Sequence, residues 1–251
     1  MGQLLQAALD ILRGAEYLVA LTGAGISTHS GIPDFRSPHC GLWERDNPAE
    51  VASLYGFRYY PERFYNWMRP LAHQILDAIP NPAHEALAHL ESQGRLKSVI
   101  TQNIDMLHAS AGSQTVYELH GHLREVTCIH CFQTYPAEAV LLEYLETNKL
   151  PLCSACGHVL KPNVILVGEQ LPAQALTAAR REAQRCDAML IIGSSLEAYP
   201  AAQLPLIARQ NDAALIIVNL TATPIDTHAQ VVIHDDAVLV LPQLVAALEN
   251  E

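Results

Sequence analysis

Hydrophobic residues along the chain alternate between helical spacing and short continuous runs. Residues 3–13 place leucine, isoleucine and alanine three and four positions apart, which predicts an amphipathic helix. Residues 17–21 form an apolar run that leads into Gly23-Ala24-Gly25, which predicts a buried strand followed by a glycine turn. Similar runs recur, with helical patterns beside most of them, at residues 98–101, 164–167, 188–192, 214–219 and 231–233. This alternation predicts an α/β fold with a Rossmann-like, doubly wound parallel sheet.

Two stretches interrupt the alternation and are interpreted as insertions that form a smaller domain. Residues 26–79 contain many prolines and most of the aromatic residues, as expected of a long loop with short helices. Residues 123–162 contain two cysteine pairs. The large domain would then comprise residues 1–25, 80–122 and 163–251. Within it, Asn81-Pro82 predicts a helix start, with asparagine as N-cap and proline in the first turn.

Composition narrows the class of protein. Of the 251 residues, 50% are hydrophobic and 16% charged, which indicates a folded globular chain. The formal net charge of −11 disfavours binding to nucleic acid and tolerates basic protein partners. The longest apolar runs are far shorter than a membrane span, and the first residues match no export or lipidation signal. We expect a cytoplasmic protein, monomeric, with no membrane or nucleic-acid partner.

The spacing of four cysteines predicts a metal site. Cys128 and Cys131 form one C-x2-C pair, Cys153 and Cys156 a second, and 21 residues separate the pairs. Two such pairs can close a tetrahedron around Zn²⁺, and four thiolates leave no open coordination position, so the site should be structural. The alternatives are buried free cysteines, or His130 and His158 as replacement ligands. Of the two other cysteines, Cys186 is expected in the core and Cys40 in a loop.

Glycine and polar residues follow several predicted strands. The turn at Gly23-Ala24-Gly25, the run Gly193-Ser194-Ser195 and Asn219 each come directly after an apolar run, as does Gln102-Asn103-Ile104-Asp105. Because the carboxyl ends of parallel strands share one edge of a sheet, these residues predict a dinucleotide crevice. The dehydrogenase fingerprint needs a third glycine where this chain has Thr28. His120, in Glu118-Leu119-His120-Gly121, lies just before the cysteine insertion, and histidine is well suited to proton transfer near neutral pH.

Taken together, these motifs resemble the sirtuins, NAD-dependent protein lysine deacylases. The motifs occur in family order over about residues 1 to 245. They are Gly23-Ala24-Gly25-Ile26-Ser27, Gly31-Ile32-Pro33-Asp34-Phe35-Arg36, Thr101-Gln102-Asn103-Ile104-Asp105 with Leu107-His108, Glu118-Leu119-His120-Gly121, both cysteine pairs, Pro162-Asn163 to Gly168-Glu169, and Gly193-Ser194-Ser195.

The resemblance implies a reaction and a set of NAD-binding residues. It implies that NAD binds between the large domain and the small zinc-bearing domain, and that the acyl group of a modified protein lysine is transferred to ADP-ribose as nicotinamide leaves. His120 resembles the general base that deprotonates a ribose hydroxyl. Asn103 and Asp105 resemble the pair at the nicotinamide pocket, where Ile104 and Asp105 hold the carboxamide. The remaining cofactor positions implied by the resemblance are Ala24, Gly25, Thr28, Phe35, Arg36, Gln102, Gly193, Ser194, Ser195, Asn219, Leu220 and Ala237.

The resemblance also places an acyl-lysine site at Ile165, Val167, Gly168, Glu169, Tyr65 and Met68. Desuccinylating sirtuins carry an arginine three residues after a tyrosine; here Met68 follows Tyr65 at that distance, and Arg69 comes one residue later. We therefore expect an apolar pocket for acetyl and longer neutral acyl groups. Val167 stands where many relatives have an aromatic residue and either widens the tunnel or packs in the core. ADP-ribosyl transfer, NAD-dependent dehydrogenation and a zinc-ribbon adaptor are the competing functions.

Overall fold

The computed structural model describes residues 2–37 and 41–249, so Cys40 lies outside the described residues. The strands are β1 (Leu18–Thr22), β2 (Leu96–Thr101), β3 (Val116–Glu118), β4 (Gly121–Cys128), β5 (Thr134–Pro136), β6 (Leu160–Val164), β7 (Ala188–Ile192), β8 (Ala214–Val218) and β9 (Val231–Ile233). The helices are α1 (Gly2–Gly14), α2 (Leu42–Arg45), α3 (Pro48–Val51), α4 (Leu54–Tyr59), α5 (Pro61–Asp77), α6 (Pro82–Ser92), α7 (Leu107–Ser110), α8 (Ala137–Thr147), α9 (Ala173–Arg185), α10 (Leu204–Gln210) and α11 (Ala237–Glu249). Three 3-10 helices span Ala24–Ser30, Ala201–Gln203 and Asp226–His228.

Six strands form a parallel sheet in the order β3-β2-β1-β7-β8-β9. Successive residues of β1 point to opposite faces, where they join two separate hydrophobic clusters. Helices α1, α6 and α11 cover one face, and α9 and α10 cover the other. Every residue of β1 and β7 is buried, as expected of strands covered on both sides. The predicted α/β class and doubly wound parallel sheet are confirmed.

Five of the predicted strands lie in this sheet, and one prediction was wrong. The runs at 17–21, 98–101, 188–192, 214–219 and 231–233 correspond to β1, β2, β7, β8 and β9. The run at 164–167 is not a strand of the parallel sheet. Its first residue ends β6, which pairs with β4 in the small sheet, and the following residues form the wall of a cavity. A short apolar run indicates burial but does not identify the sheet that provides it.

A three-stranded antiparallel sheet, β5-β4-β6, forms a second layer with its own hydrophobic core. Helices α5 and α8 pack on it, and the buried Cys128 and Cys153 belong to the same core. The ends of β4 and β6 extend across the domain boundaries predicted at 122/123 and 162/163. The division into two domains stays a prediction.

Local signals at two helices agree with the structure. Asn81 caps α6, because its side chain accepts a hydrogen bond from the Ala83 amide, and Pro82 occupies the first turn. Pro70 lies inside α5, which continues to Asp77. Among the described residues, no helix has both the length and the apolar character needed to cross a membrane.

Candidate functional site

A cavity of about 550 Å³ opens at the carboxyl ends of β1, β2, β7 and β8. Open α/β sheets bind ligands at this position, where the connections on either side of the central strands diverge. Every residue that the resemblance assigned to NAD lines this cavity, as do five of the six assigned to acyl-lysine. The structure thus brings together residues from eight separate segments of the chain, while their individual roles stay predictions.

Tyr65 is the exception, and its prediction as a cavity residue was wrong. The side chain is 1% exposed, and its hydroxyl donates a hydrogen bond of 2.6 Å to the Leu160 carbonyl of β6. Tyr65 therefore joins α5 to the small sheet. Met68, one turn later, does line the cavity. Arg69 points the other way, where its guanidinium donates to the Asn148 side chain and the Leu145 carbonyl.

The glycine turn after β1 packs backbone against backbone on the end of β7. The Gly25 amide donates to the Gly193 carbonyl at 2.8 Å. Gly193 has a positive φ of 57°, and a Cβ placed there would lie 2.3 Å from the Ile26 nitrogen. Side chains at these positions would push the two strand ends apart. The turn therefore needs glycine for this close approach, and the helix that follows it is a 3-10 helix.

Three buried polar side chains form one network at the deep end of the cavity. The Ser27 hydroxyl donates to Asp105 Oδ2 at 2.7 Å and accepts from Asn103 Nδ2 at 3.1 Å. The Leu107 amide donates to the other Asp105 oxygen. Burial raises the pKa of Asp105, and the bonds from Ser27 and Leu107 oppose that rise. The network fixes the orientation of the carboxylate and of the amide beside it.

His120 is held by a main-chain carbonyl. Its Nδ1 lies 2.9 Å from the Gln102 oxygen, and a carbonyl can only accept, so Nδ1 carries the hydrogen and Nε2 keeps a free lone pair. Burial lowers the pKa of His120, the Gln102 carbonyl raises it, and Arg36 lowers it. The Gln102 side chain donates to the Ser194 hydroxyl at 2.8 Å, which ties the ends of β2 and β7 together. A neutral imidazole in this position can accept a proton.

Sequence reasoning assigned Phe35 to the cofactor but missed the two tryptophans beside it and the role of Ser27. Trp43 and Trp67 stack with ring centroids 5.4 Å apart, and Phe35 lies 5.0 Å from Trp43. These three aromatic residues and Ser27 line the cavity. Both tryptophans of the chain therefore lie at one site, a pattern that could have been noticed in the sequence. Ser27 was quoted only as part of a motif, because nothing local indicates that it bonds Asp105.

The segment after β6 joins the two layers at the cavity. Val167 exchanges backbone hydrogen bonds with Ala52 and Leu54, and the Ile165 amide donates to the His120 carbonyl at 2.8 Å. Lys161 forms an ion pair with Glu169 at 3.0 Å, so the turn is tied back to β6. The Val167 side chain is 51% exposed and lines the cavity, so the alternative that it packs in the core is wrong.

The four paired cysteines converge between β4, β5 and β6. Their sulfurs lie within 4.8 Å of one another, with Cys128 to Cys156 at 3.4 Å and Cys131 to Cys153 at 3.5 Å. Four thiolates on one zinc ion are about 3.8 Å apart in a tetrahedron with Zn–S bonds of about 2.3 Å. The donor set and its size therefore fit Zn²⁺. Cys186 is buried at a distance from this group, as expected.

Comparison with known proteins agrees with these features. A family model described as "Sir2 family" matches residues 23–200. The NAD-dependent protein deacetylase of Thermodesulfovibrio yellowstonii is 44% identical over 243 residues, which cover 96% of this chain and 94% of the relative. The NAD-dependent protein deacylase 2 of Archaeoglobus fulgidus is 45% identical over 244 residues, covering 97% and 95%.

Solved structures extend the similarity to the whole fold. One described as "Structural Basis for the Mechanism and Regulation of Sir2 Enzymes" superimposes with a TM-score of 0.94 at 43% identity, covering 100% of this chain and 99% of the other. Another, described as "Sir2-p53 peptide-NAD+", has a TM-score of 0.90 at 40% identity and covers 98% and 99%. These similarities extend over the cavity and the cysteine cluster alike.

Proposed function

The chain belongs to the Sir2 family as an NAD-dependent protein deacylase, and we propose that its cavity carries out the reaction with His120, Asn103 and Asp105. The observation that carries this assignment is the convergence of these three side chains on one cavity at the ends of the parallel strands. His120 comes from the loop between β3 and β4, whereas Asn103 and Asp105 follow β2. Their roles are argued below from their contacts.

The cavity suits NAD in its size and in the groups that line it. Its volume lies within the range usual for small-molecule and cofactor sites, about 300–1,000 Å³. Gly23, Ala24, Gly25 and Thr28, from the glycine turn and the 3-10 helix, line the cavity, where the absence of glycine side chains lets a pyrophosphate approach the backbone closely. We assign the pyrophosphate and adjoining ribose to Ala24, Gly25, Thr28 and Arg36. The adenosine half is assigned to Gly193, Ser194, Ser195, Asn219, Leu220 and Ala237.

Asn103 and Asp105 hold the nicotinamide end. When bound, NAD supplies the ADP-ribosyl group: its bond from C1′ to nicotinamide breaks, and the acyl oxygen of the substrate lysine bonds to C1′ instead. Ile104 and Asp105 bind the carboxamide of the departing ring. Asp105 is suited to this because Ser27 and Leu107 hold its carboxylate in place. Phe35 and the stacked tryptophans behind it exclude water from the reacting carbon.

His120 takes a proton from a ribose hydroxyl. The Gln102 carbonyl holds the hydrogen on Nδ1, so Nε2 is the nitrogen that accepts. Burial keeps the imidazole neutral at neutral pH by lowering its pKa. Gln102 itself contributes its side chain to the same ribose, beside Ser194. The deprotonated ribose hydroxyl would attack the acyl carbon, the bond from that carbon to the lysine nitrogen would break, and one water would complete O-acyl-ADP-ribose as the protonated lysine leaves.

The acyl-lysine chain enters between the segment after β6 and helix α5. Ile165, Val167, Gly168 and Glu169 from that segment line the cavity, as does Met68 from α5. Among the described residues that line the cavity, Arg36 is the one lysine or arginine, and it pairs with Glu197 at 3.1 Å. The acyl pocket therefore takes acetyl and longer neutral groups, for which the half-exposed Val167 leaves room.

Zinc bound by Cys128, Cys131, Cys153 and Cys156 holds the small sheet together and takes no part in the chemistry, because four thiolates fill its coordination. We propose that the protein works in the reducing cytoplasm, because four of its cysteines cluster as metal ligands do. The protein acts as a monomer on acylated-lysine proteins, and sedimentation of the purified chain tests its oligomeric state.

The products of a single incubation test the proposed function. The chain is mixed with NAD and acetyl-lysine peptide, and all products are identified by mass. Nicotinamide, O-acetyl-ADP-ribose and unmodified peptide in equal amounts support deacylation. A peptide or protein adduct of ADP-ribose, without O-acetyl-ADP-ribose, would show ADP-ribosyl transfer instead. Formation of NADH would show a dehydrogenase.

A further inference from the structure

Two histidines lie beside the cysteine centre on its solvent side. One nitrogen of His130, one of His158 and the Cys156 sulfur all lie within 4.8 Å of one another. The two imidazole rings stack with centroids 3.9 Å apart and planes 7° apart. Both histidines are exposed and Cys156 is half-buried, so the group faces solvent. The function proposed above makes no use of either histidine.

We propose that His130, His158 and the Cys156 thiolate form a second binding site for a divalent transition-metal ion. This site lies next to the four-cysteine zinc centre and shares its Cys156 sulfur. Two imidazoles and a thiolate are a donor set that Zn²⁺, Co²⁺ and Ni²⁺ accept. Water completes the coordination because the group is open to solvent. The inference rests on the four-cysteine zinc centre and goes beyond the deacylase function.

A hydrogen bond to the Cys156 carbonyl leaves one nitrogen of His158 free to bind a metal ion. Its Nδ1 lies 3.2 Å from the Cys156 carbonyl, which can only accept, so Nδ1 carries the hydrogen. Nε2 then keeps its lone pair for a cation. Metal-binding histidines usually donate their second N–H to a carbonyl or carboxylate in this way, which fixes tautomer and ring orientation.

The charge of the zinc centre favours a second cation. Four thiolates around one Zn²⁺ leave a net charge of −2, and a thiolate that binds one metal still has lone pairs for another. Cys128 and Cys153 are buried, whereas Cys156 is open enough to bridge outward.

The two histidine nitrogens and the Cys156 sulfur need only side-chain rotation to coordinate one ion. Ligand atoms on one tetrahedral ion, with Zn–N of about 2.0–2.1 Å and Zn–S of about 2.3 Å, are about 3.3–3.6 Å apart. The present spacing of up to 4.8 Å contracts when the two exposed rings turn from their parallel stack toward a common ion. Because only one thiolate contributes, this ion binds more weakly than the zinc held by four.

The experiment counts metal ions per chain. Untagged, zinc-loaded protein is dialysed against metal-free buffer and then equilibrated with increasing free Co²⁺, and zinc and cobalt are measured by mass spectrometry. The variants are His130→Ala and His158→Ala, and His73→Ala is the matched control because His73 is an exposed histidine on α5. The sulfur-to-cobalt charge-transfer absorption reports whether the bound cobalt touches a thiolate.

We expect one retained zinc and one added cobalt per chain in the wild type and in His73→Ala, with a thiolate charge-transfer band. Each of the other variants should keep its zinc and bind cobalt at least about tenfold more weakly. Wild type that takes up no cobalt, or variants that bind it as tightly as wild type, would overturn the proposal. Loss of zinc from His130→Ala or His158→Ala would also overturn it, since the histidine would then belong to the first site.

Discussion

His120 owes its proposed role to one main-chain contact. Because the Gln102 carbonyl holds the hydrogen on Nδ1, Nε2 is the only ring nitrogen free to accept a proton. We predict that His120→Ala lowers deacylation by about 10²-fold or more, the usual effect of losing a general base, while NAD binding is kept. Turnover of acetyl-lysine peptide and NAD titration by calorimetry check this. Near-wild-type turnover in the variant would remove His120 from the mechanism.

Asn103 and Asp105 should act on the nicotinamide end of NAD and not on its adenosine end. Both side chains belong to the Ser27 network at the deep end of the cavity, on the opposite side of the glycine turn from Asn219. Replacing either by alanine should slow release of nicotinamide strongly and change the affinity for ADP-ribose little. Nicotinamide exchange and ADP-ribose titration measure the two effects. Equal losses in both would contradict the placement.

Two buried histidines make the stability of the fold depend on pH. Burial lowers the pKa of His84 to about 4 and that of His108 to about 3. The His84 Nδ1 already accepts a hydrogen bond from the Asn81 amide, and the His108 Nδ1 is buried without a partner. Protonation of either Nδ1, which would make the imidazole positively charged, is therefore unfavourable in the folded protein. The unfolded chain protonates both near pH 6.5, hence these neutral histidines stabilise the fold fully above that pH.

This stabilisation is lost as pH falls below about 6.5, and the loss is complete near pH 4 for His84 and near pH 3 for His108. For His84 the total loss is about 3 kcal/mol. Urea unfolding measures the free energy of unfolding at neutral pH and at pH of about 5. We expect this free energy to fall less between the two pH values in His84→Gln than in wild type. His73→Ala is the control, and an equal drop in all three proteins would contradict the assignment.

Helix α5 decides which acyl groups the pocket takes. It directs Met68 into the cavity and Arg69 toward α8, and the Tyr65 hydroxyl is occupied by Leu160. A succinyl carboxylate would therefore be buried without a cation. We predict kcat/KM for acetyl, propionyl, butyryl and myristoyl peptides at least about tenfold above that for succinyl peptide.

Two variants on this helix separate the contributions of neighbouring residues. Met68→Arg should raise succinyl turnover relative to acetyl turnover, because it places a guanidinium in the cavity. Arg69→Met should leave that ratio unchanged. If wild type removes succinyl faster than acetyl and Arg69→Met abolishes this preference, Arg69 does reach the pocket.

At the scale of the whole molecule, zinc should stabilise one layer and not the other. The cysteines join the strands of the small sheet, whereas the parallel sheet has its own cores on both faces. Chelation should therefore unfold β4, β5 and β6 and abolish activity, and leave β1, β2, β7 and β8 protected. Amide hydrogen exchange with and without chelator measures this. The same data test the proposed two domains.

Substitutions provide the control for chelation. Cys128→Ser should lose zinc and protection in the small sheet, while Cys186→Ala, which alters a buried cysteine outside the cluster, should keep both. A metal-free protein that stays folded throughout and active would contradict a structural zinc centre.

Much of this architecture was predictable because its signals are local. Short apolar runs followed by glycine or an amide marked β1, β2, β7 and β8, and the C-x2-C spacing identified the cysteines that converge. The prediction was wrong for residues 164–167 and missed β3, β4 and β5. A short run of apolar residues indicates burial but gives no information about the strand beside it.

The sequence by itself determined the alternation of strands and helices, the glycine turn at Gly25 and the four cysteines that cluster. These depend on backbone preference, burial and spacing within a few residues. Only the tertiary structure decided that the Tyr65 side chain points away from the cavity while Met68 lines it. The same holds for the hydrogen bond from Ser27 to Asp105 and for the stacking of His130 on His158. Such contacts join residues far apart in the chain. They depend on how whole elements pack against one another, which a local pattern does not contain.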